Sequence, residues 1–568
     1  MVGFATIDNI RAGVTMTGMG ERAETKPVQV VGRLVPVVWA DEHLLAVNKP
    51  PEVDLTAPIR KRGPSVIETV MGLVRRAAPF ACDGAPIPLI LPEKYASGVA
   101  LFAADEVTAG RFAAGAQTRP LQYEHTLVLT GRASRQRIAI KPEASGRQRV
   151  APPAARLDIL ESNEDCHIVR CATSAPTIDE VRRAVKAAGM RIVGDARPGH
   201  IAEDARNPKR QPLLHLERLS FPHPQGGQPV SIHAHAPRAF RSYLATRRLT
   251  ERHLRTALIA RLACILDETT DCFRLIGPTE GISGLIVEKY GSAIVLEALR
   301  GKFNGDEQAL RHIGNWYAKL LGVECVYAKN IPRTRSEPDV VRTHGAELVT
   351  LLRGEAQEEV TVTENGIRFV IHPADGLATG LYLDHRDNRR RICQMAEGKD
   401  VLNLFAYTCG FSVAAAVGGA ASTTSVDLTV RSLEWGKANF AANGLELEAH
   451  TFIRSDAFDY FKRAERQKKR FDLIILDPPS FARSKKPKRT FEVRKHLVEL
   501  IEGARELLRP GGQMLIATNN RQLSANWLLD QVDLASGGRY HKVVARPRLP
   551  IDYAADPAHQ KSVLVRFD

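Results

Sequence analysis

Between residues 400 and 521, acidic and amide side chains recur at the ends of apolar runs, in an order that suits nucleotide chemistry. Asp400-Val-Leu-Asn403-Leu-Phe405-Ala-Tyr407-Thr-Cys409-Gly410 reads as a strand that runs into a turn closed by glycine, and an Ala-rich helix follows. Such a turn carries backbone N–H groups and a helix N-terminus to the carboxyl end of a strand, where α/β sheets bind nucleotides. Ser422–Asp427 is a second strand ending in an acid suited to ribose hydroxyls, and Ser455-Asp456 closes a third, where a carboxylate can receive an adenine amino group. Phe471–Leu476 is a buried run followed by Asp477-Pro478-Pro479-Ser480-Phe481. Proline cannot continue a central strand, so the chain must turn out there into the crevice. A fifth strand ends at Asn519-Asn520-Arg521, whose donors and acceptors fit the edge of a base. One such acid alone reads as a surface carboxylate; the ordered series reads as a site.

These residues need a frame that brings strand ends together. From about residue 375 strands alternate with helices, which predicts an α/β Rossmann-like domain over 375–568 with a parallel, doubly wound sheet. Ahead of it, 273–374 reads as a small α+β domain of short strands and turns. Residues 241–272 read as an Arg-rich helical connector, 36–240 as a mixed α+β domain, and 1–35 as a flexible lead-in without a secretory signal. At 568 residues the chain exceeds one hydrophobic core. No apolar run approaches the ~20 residues of a membrane span. The cysteines are scattered without a CxxC pair or neighbouring histidines, which argues against a disulfide framework or a zinc site and suits the cytoplasm. A net charge of +15 points to a polyanionic partner.

The motifs Asp375-Gly-Leu-Ala-Thr-Gly-Leu-Tyr-Leu-Asp384-His-Arg386, Leu402-Asn-Leu-Phe-Ala-Tyr-Thr408, Leu433-Glu-Trp-Gly-Lys-Ala-Asn439, Asp477-Pro-Pro-Ser-Phe481, Asn519-Asn-Arg521 and Asp552-Tyr553 resemble the RlmI/RlmK group of bacterial large-subunit ribosomal RNA methyltransferases. Within it the likeness is greatest to the RlmK half, which methylates guanosine N7. The resemblance covers about 273–568, with 273–374 similar to the family's RNA-facing domain. It implies S-adenosylmethionine as cofactor, held by Asp384, Arg386, Asn403, Phe405, Tyr407, Gly410, Asp427, Asp456 and Asp477, with Asp477, Pro478, Pro479, Asn519 and Asn520 at the reacting end. The implied partner is large-subunit ribosomal RNA or a pre-ribosomal particle, without a membrane or a metal. Cys409 stands where such turns commonly carry glycine.

Two chemistries compete within this group. Cytosine carbon-5 requires a thiolate to attack carbon-6 first. The fifth strand, Ile516-Ala-Thr-Asn-Asn520, has no cysteine, which disfavours that route. Guanine N7 carries an exposed lone pair and needs only to be held in line with the methyl group. Basic runs precede and follow the Asp-Pro-Pro turn: Lys468, Lys469 and Arg470 before it, and Lys485, Lys486, Lys488 and Arg489 after it. With Arg521 they are expected to track RNA phosphates at the rim of the site.

Val38-Trp-Ala-Asp41-Glu-His-Leu-Leu-Ala-Val-Asn-Lys49-Pro-Pro, Ser97-Gly98, Tyr123, Arg182, Ile192-Val-Gly-Asp195 and Leu213-Leu-His215 resemble RluA-type pseudouridine synthases. That family's Arg-Leu-Asp motif reads Leu91-Pro92-Glu93 here, its Gly-Arg-Thr-His-Gln motif reads Pro176-Thr-Ile-Asp-Glu180, and Leu121 stands for the Lys of Lys-x-Tyr. The resemblance implies the fold, used to bind RNA, and a lost catalytic apparatus.

Overall fold

The computed structural model describes residues 26–568 except 59–64, 75–79, 81, 83, 132–134, 142–153, 164–165, 175–176, 196–211, 247–249, 279, 333–347, 377 and 486–487. The chain divides into two compact units, Met1–Leu266 and Asp267–Asp568.

The first unit is built on an eleven-stranded sheet. Its central strand Ser97–Ala103 is buried at every position and pairs with Leu44–Lys49 on one side and Leu214–Pro222 on the other. Helix Ile178–Ala187 opens on a capping box, Thr177 and Glu180 satisfying each other's backbone N–H groups. Two expectations change here. Within the supposed lead-in, Lys26–Leu34 is a helix that buries Val30, Val31 and Leu34. The supposed connector does not stand apart, because helices Arg238–Thr246, Thr250–Ile259 and Leu262–Ile265 belong to this unit and bury Phe240, Tyr243, Leu254 and Leu258.

The second unit begins with a five-stranded sheet, Cys272–Arg353, backed by helix Glu307–Leu321, and a hairpin pairing Val360–Glu364 with Ile367–Ile371. The remainder is one α/β layer, labelled here β1 (Asp400–Leu404), α1 (Gly410–Val417), β2 (Ser422–Asp427), α2 (Val430–Ala442), β3 (His450–Arg454), α3 (Ala457–Arg466), β4 (Phe471–Leu476), α4 (Val493–Arg505), β5 (Leu508–Thr518), α5 (Ala525–Ser536), β6 (His541–Ala545) and β7 (Lys561–Phe567). The sheet order is β3-β2-β1-β4-β5-β7-β6. The first five of these strands are parallel, as expected, but β7 runs antiparallel between β5 and β6, so the sheet is mixed rather than parallel throughout. Helices cover both faces. In β4, Ile474 and Leu476 join the core under α3 and α4, while Leu473 and Ile475 face the opposite core with Phe411 and Ile392. Burial on both faces explains why β4 is a continuous apolar run.

Candidate active site

The order of the sheet reverses at β1 and β4, and the crevice above their carboxyl ends is a cavity of about 560 Å³. Its floor is the loop from β1 to α1. Phe405, Tyr407 and Cys409 all have left-handed backbones, with φ of 57°, 48° and 61°. Bulky residues rarely adopt that conformation, at a cost of order 1–3 kcal/mol each, and it clusters where a loop is held for function. Here hydrogen bonds hold it. The Tyr407 N–H donates to Asp427 Oδ2 at 3.0 Å, Thr408 Oγ1 to the Gly380 carbonyl at 2.6 Å, and Asn439 Nδ2 to the Thr408 carbonyl at 2.9 Å. Cys409 is fully buried and burial pushes its thiol up to about 12, so it is a packed, protonated side chain. Its sulfur leaves no room at Gly436, where a Cβ would lie 2.4 Å away.

Asp427 ends β2 at the cavity wall, and its other oxygen accepts the Thr429 N–H at 2.9 Å. The two backbone donors fix the carboxylate while leaving acceptor capacity toward the cavity. Asp384, Phe405, Tyr407, Gly410, Asp477, Pro478, Pro479 and Asn519 line the same cavity. Ser480 Oγ donates to Asn519 Oδ1 at 3.1 Å, joining the Asp-Pro-Pro turn to the end of the neighbouring β5.

Other expected residues lie elsewhere. Arg386 is buried in an ion pair with Asp552 and serves the packing beneath the site. Asn403 is buried and donates to Ser412 Oγ at 2.9 Å. Asp456 caps α3 through the Phe458 N–H, and Asn520 accepts the Gln522 N–H. None of these four lines the cavity. Arg521 forms a two-pronged pair with Asp556 at 2.7 and 2.8 Å and lines an adjoining cavity of about 290 Å³.

The two basic runs do not share a rim. Lys468, Lys469 and Arg470 precede β4 and Asp477 follows it, so a strand of six residues, about 20 Å, separates them. That run sits at the amino end of the sheet, away from the crevice. The later run falls on a hairpin rather than an open loop. Phe481–Lys485 pairs with Lys488–Glu492, and Ala482 at its base lines the cavity. Lys486 lies outside the described residues, as do the side chains of Lys485, Lys488 and Arg489.

His385, Tyr382 and Trp435 also line the cavity and were not expected as site residues. His385 Nε2 is 3.1 Å from Asp477 Oδ2. Burial pulls its pKa down, but Asp477 and Asp384 outweigh burial and leave it raised. Tyr382 and Tyr407 sit 5.3 Å apart between ring centres. A cavity of this size, with carboxylates of Asp375, Asp384, Asp427 and Asp477 beside aromatic faces, fits an adenosine ribose and a positively charged sulfonium and ammonium.

The adjoining cavity shares Tyr382, Asp384, Tyr407 and Asn519 with the first. Beyond them Arg274 lies over the Tyr553 ring at 3.8 Å, and Glu288 accepts from Arg274, Tyr290 and Tyr553. Glu297 is pushed up to about 7 by burial and then by Glu288.

Residues 334–566 match the family model described as S-adenosylmethionine-dependent methyltransferase. With this sheet order, the second unit carries a class I methyltransferase domain, and its cofactor is S-adenosylmethionine. The chain is 33% identical over 288 residues to ribosomal RNA large subunit methyltransferase K/L of Vibrio parahaemolyticus, covering 50% of this chain and 39% of that protein. It is 40% identical over 207 residues to ribosomal RNA large subunit methyltransferase K of Neisseria meningitidis, covering 36% of this chain and 57% of the other. The chain thus spans well under two thirds of the length of these relatives. A solved SAM-dependent methyltransferase from Streptococcus mutans is 28% identical with a TM-score of 0.49, covering 61% of this chain and 87% of its own. Among the described residues no helix is long and apolar enough to cross a membrane.

Proposed function

We propose that the second unit methylates guanosine N7 in large-subunit ribosomal RNA and that the first unit binds the RNA without modifying it. The observation that carries the chemistry is a cavity without a thiol. No cysteine lines it, and Cys409, on the loop beneath, is buried and protonated. Carbon-5 methylation of cytosine therefore lacks its nucleophile. Guanine N7 needs none, since its lone pair attacks directly. S-adenosylmethionine supplies a methyl group on a positively charged sulfur. In this reading Asp427 holds the ribose, Asp384 and Asp477 face the positive end, and Asn519, shared by both cavities, marks where acceptor meets donor. The acceptor base occupies the adjoining cavity, with Arg521 and Asn519 as donors to guanine O6. Similarity to the K and K/L large-subunit methyltransferases supports ribosomal RNA as substrate.

In the first unit the Glu93 carboxylate is 3.3 Å from Arg182, which also pairs with Asp195 at 2.7 Å and Asp179 at 2.8 Å. Exposed Leu91 supplies no cation beside it. The longer Glu side chain displaces the carboxylate relative to an Asp, and a 1 Å misplacement can cost about a hundredfold in rate. Incubating large-subunit RNA with the protein and S-adenosylmethionine should yield N7-methylguanosine and no pseudouridine. A methylated cytosine, or pseudouridine that disappears in Glu93→Gln, would overturn the respective half of the proposal.

A further inference from the structure

The first unit holds a cavity of about 290 Å³ that methyl transfer does not employ; parts of the synthase-like motifs, Lys49 to Pro51, Ser97 and Leu214, form some of its wall, but Glu93, Tyr123 and Arg182 do not line it. Its walls come from helix Lys26–Leu34, the end of strand Leu44–Lys49, and the first turns of helices Arg238–Thr246 and Thr250–Ile259. The decisive side chain is Arg252. It is 6% exposed, lines the cavity, and among the described residues its Nε and Nη2 have no hydrogen-bond partner. Such a guanidinium is costly to bury unpaired, and burial lowers its pKa to about 10. Glu52 is the carboxylate whose field acts on it, yet no ion pair forms between them among the described residues.

The surroundings add to this one charge. Arg33, Arg238 and Arg255 line the same cavity, against one lining carboxylate, Glu251. Glu251 and Arg252 lie in the first turn of one helix, and Arg238, Ala239 and Phe240 in the first turn of another. Both N-terminal ends therefore present positive dipole ends to the cavity. Lys49 also lines it, but its ammonium is occupied by the carbonyls of Pro50, Glu93, Lys94 and Ala96 at 2.8–3.2 Å, so it braces the wall. One wall of the cavity is apolar, formed by Leu34, Pro36, Pro212, Leu214, Phe240 and, half exposed at 46%, Tyr95, while Asn48, Ser97 and His235 add polar groups to the lining.

We propose that this cavity binds a single nucleotide, its phosphate against Arg252 and its base against the apolar wall. The volume lies at the lower end of the ~300–1,000 Å³ range of small-molecule sites, which excludes anything much larger than one nucleotide. The phosphate can come from a free nucleotide or from the end of an RNA chain.

The test uses the full chain in phosphate-free buffer, with the donor site saturated by S-adenosylhomocysteine. Uridine 5′-monophosphate, uridine and inorganic phosphate are titrated by calorimetry into the wild type, Arg252→Gln and Arg252→Lys. The monophosphate should bind the wild type at least tenfold more tightly than either uridine or phosphate alone. Arg252→Gln should weaken it by on the order of tenfold or more, the scale of a charge-assisted hydrogen-bond pair, with Arg252→Lys intermediate. Without ligand, Arg252→Gln should melt no lower than the wild type, because it removes a buried charge whose Nε and Nη2 have no hydrogen-bond partner among the described residues; a structural arginine would show the reverse. A 5′-phosphorylated oligonucleotide that competes where its 5′-hydroxyl counterpart does not would assign the occupant to an RNA end, and failure to compete would assign it to a free nucleotide. No binding of the monophosphate, equal binding of uridine or phosphate, or undiminished binding by Arg252→Gln would each overturn the proposal.

Discussion

Replacing Asp427 by alanine removes two kinds of interaction at once, and the structure separates them. Toward the protein, Oδ2 accepts the Tyr407 N–H and Oδ1 the Thr429 N–H. Toward the cavity, the same oxygens retain acceptor capacity for ribose hydroxyls. Losing the ribose acceptors should cost about 1–3 kcal/mol of donor affinity, roughly 5- to 150-fold in Kd. Losing the Tyr407 anchor should also loosen a loop whose Phe405, Tyr407 and Cys409 are already left-handed, adding a stability loss of about 1–2 kcal/mol. Asp427→Asn keeps one carbonyl oxygen and turns an N–H₂ group toward a backbone donor, so it should fall between, near tenfold in Kd. Calorimetric titration with S-adenosylhomocysteine measures affinity, and denaturant unfolding measures the anchor. Unchanged affinity in Asp427→Ala, with or without a stability change, would refute the placement of the ribose.

Gly436→Ala should destabilise the second unit by about 1–3 kcal/mol because its Cβ would lie 2.4 Å from Cys409 Sγ, and Cys409→Gly should rescue it in a double-mutant cycle read by urea unfolding. Neutralising Lys485, Lys486, Lys488 and Arg489 together should lower the slope of log affinity for RNA against log salt by about 0.9 per lost phosphate contact, with donor affinity unchanged; an unaltered slope would remove the hairpin from the RNA path. His385 is raised above its ordinary 6.5 despite burial, so its pair with Asp477 contributes fully below about pH 6.5 and fades as pH rises through the raised value. The stability difference between wild type and Asp477→Asn should therefore be largest near pH 6 and shrink toward pH 9. A difference that grows with pH would contradict the pairing.

The strand-end acids were legible because a buried parallel strand ends abruptly in polar residues, and Asp427, Asp477 and Asn519 do stand together at one cavity. Other parts were not legible. A basic run that is close in sequence to the Asp-Pro-Pro turn need not be close in space, since Lys468–Arg470 and Asp477 lie at opposite ends of β4. Asp456 occupies a strand end yet serves as a helix cap, a role that sequence does not separate from ligand binding. His385 passed unnoticed between two residues of a motif; only the fold shows Asp477, 92 positions later, pairing with it. The antiparallel β7 follows a long stretch of turns, so nothing local announces that it inserts between β5 and β6. Helix Lys26–Leu34 is only nine residues long, and although Val30, Val31 and Leu34 stand at helical spacing, so short a run does not by itself announce a packed helix.

The most direct test of the central claim is mass spectrometry of nucleosides from large-subunit ribosomal RNA of cells with and without this gene. Loss of one N7-methylguanosine, restored by the wild type but not by Asp427→Ala, is the result predicted here. Loss of a methylated cytosine, or an unchanged methylation profile, would contradict it.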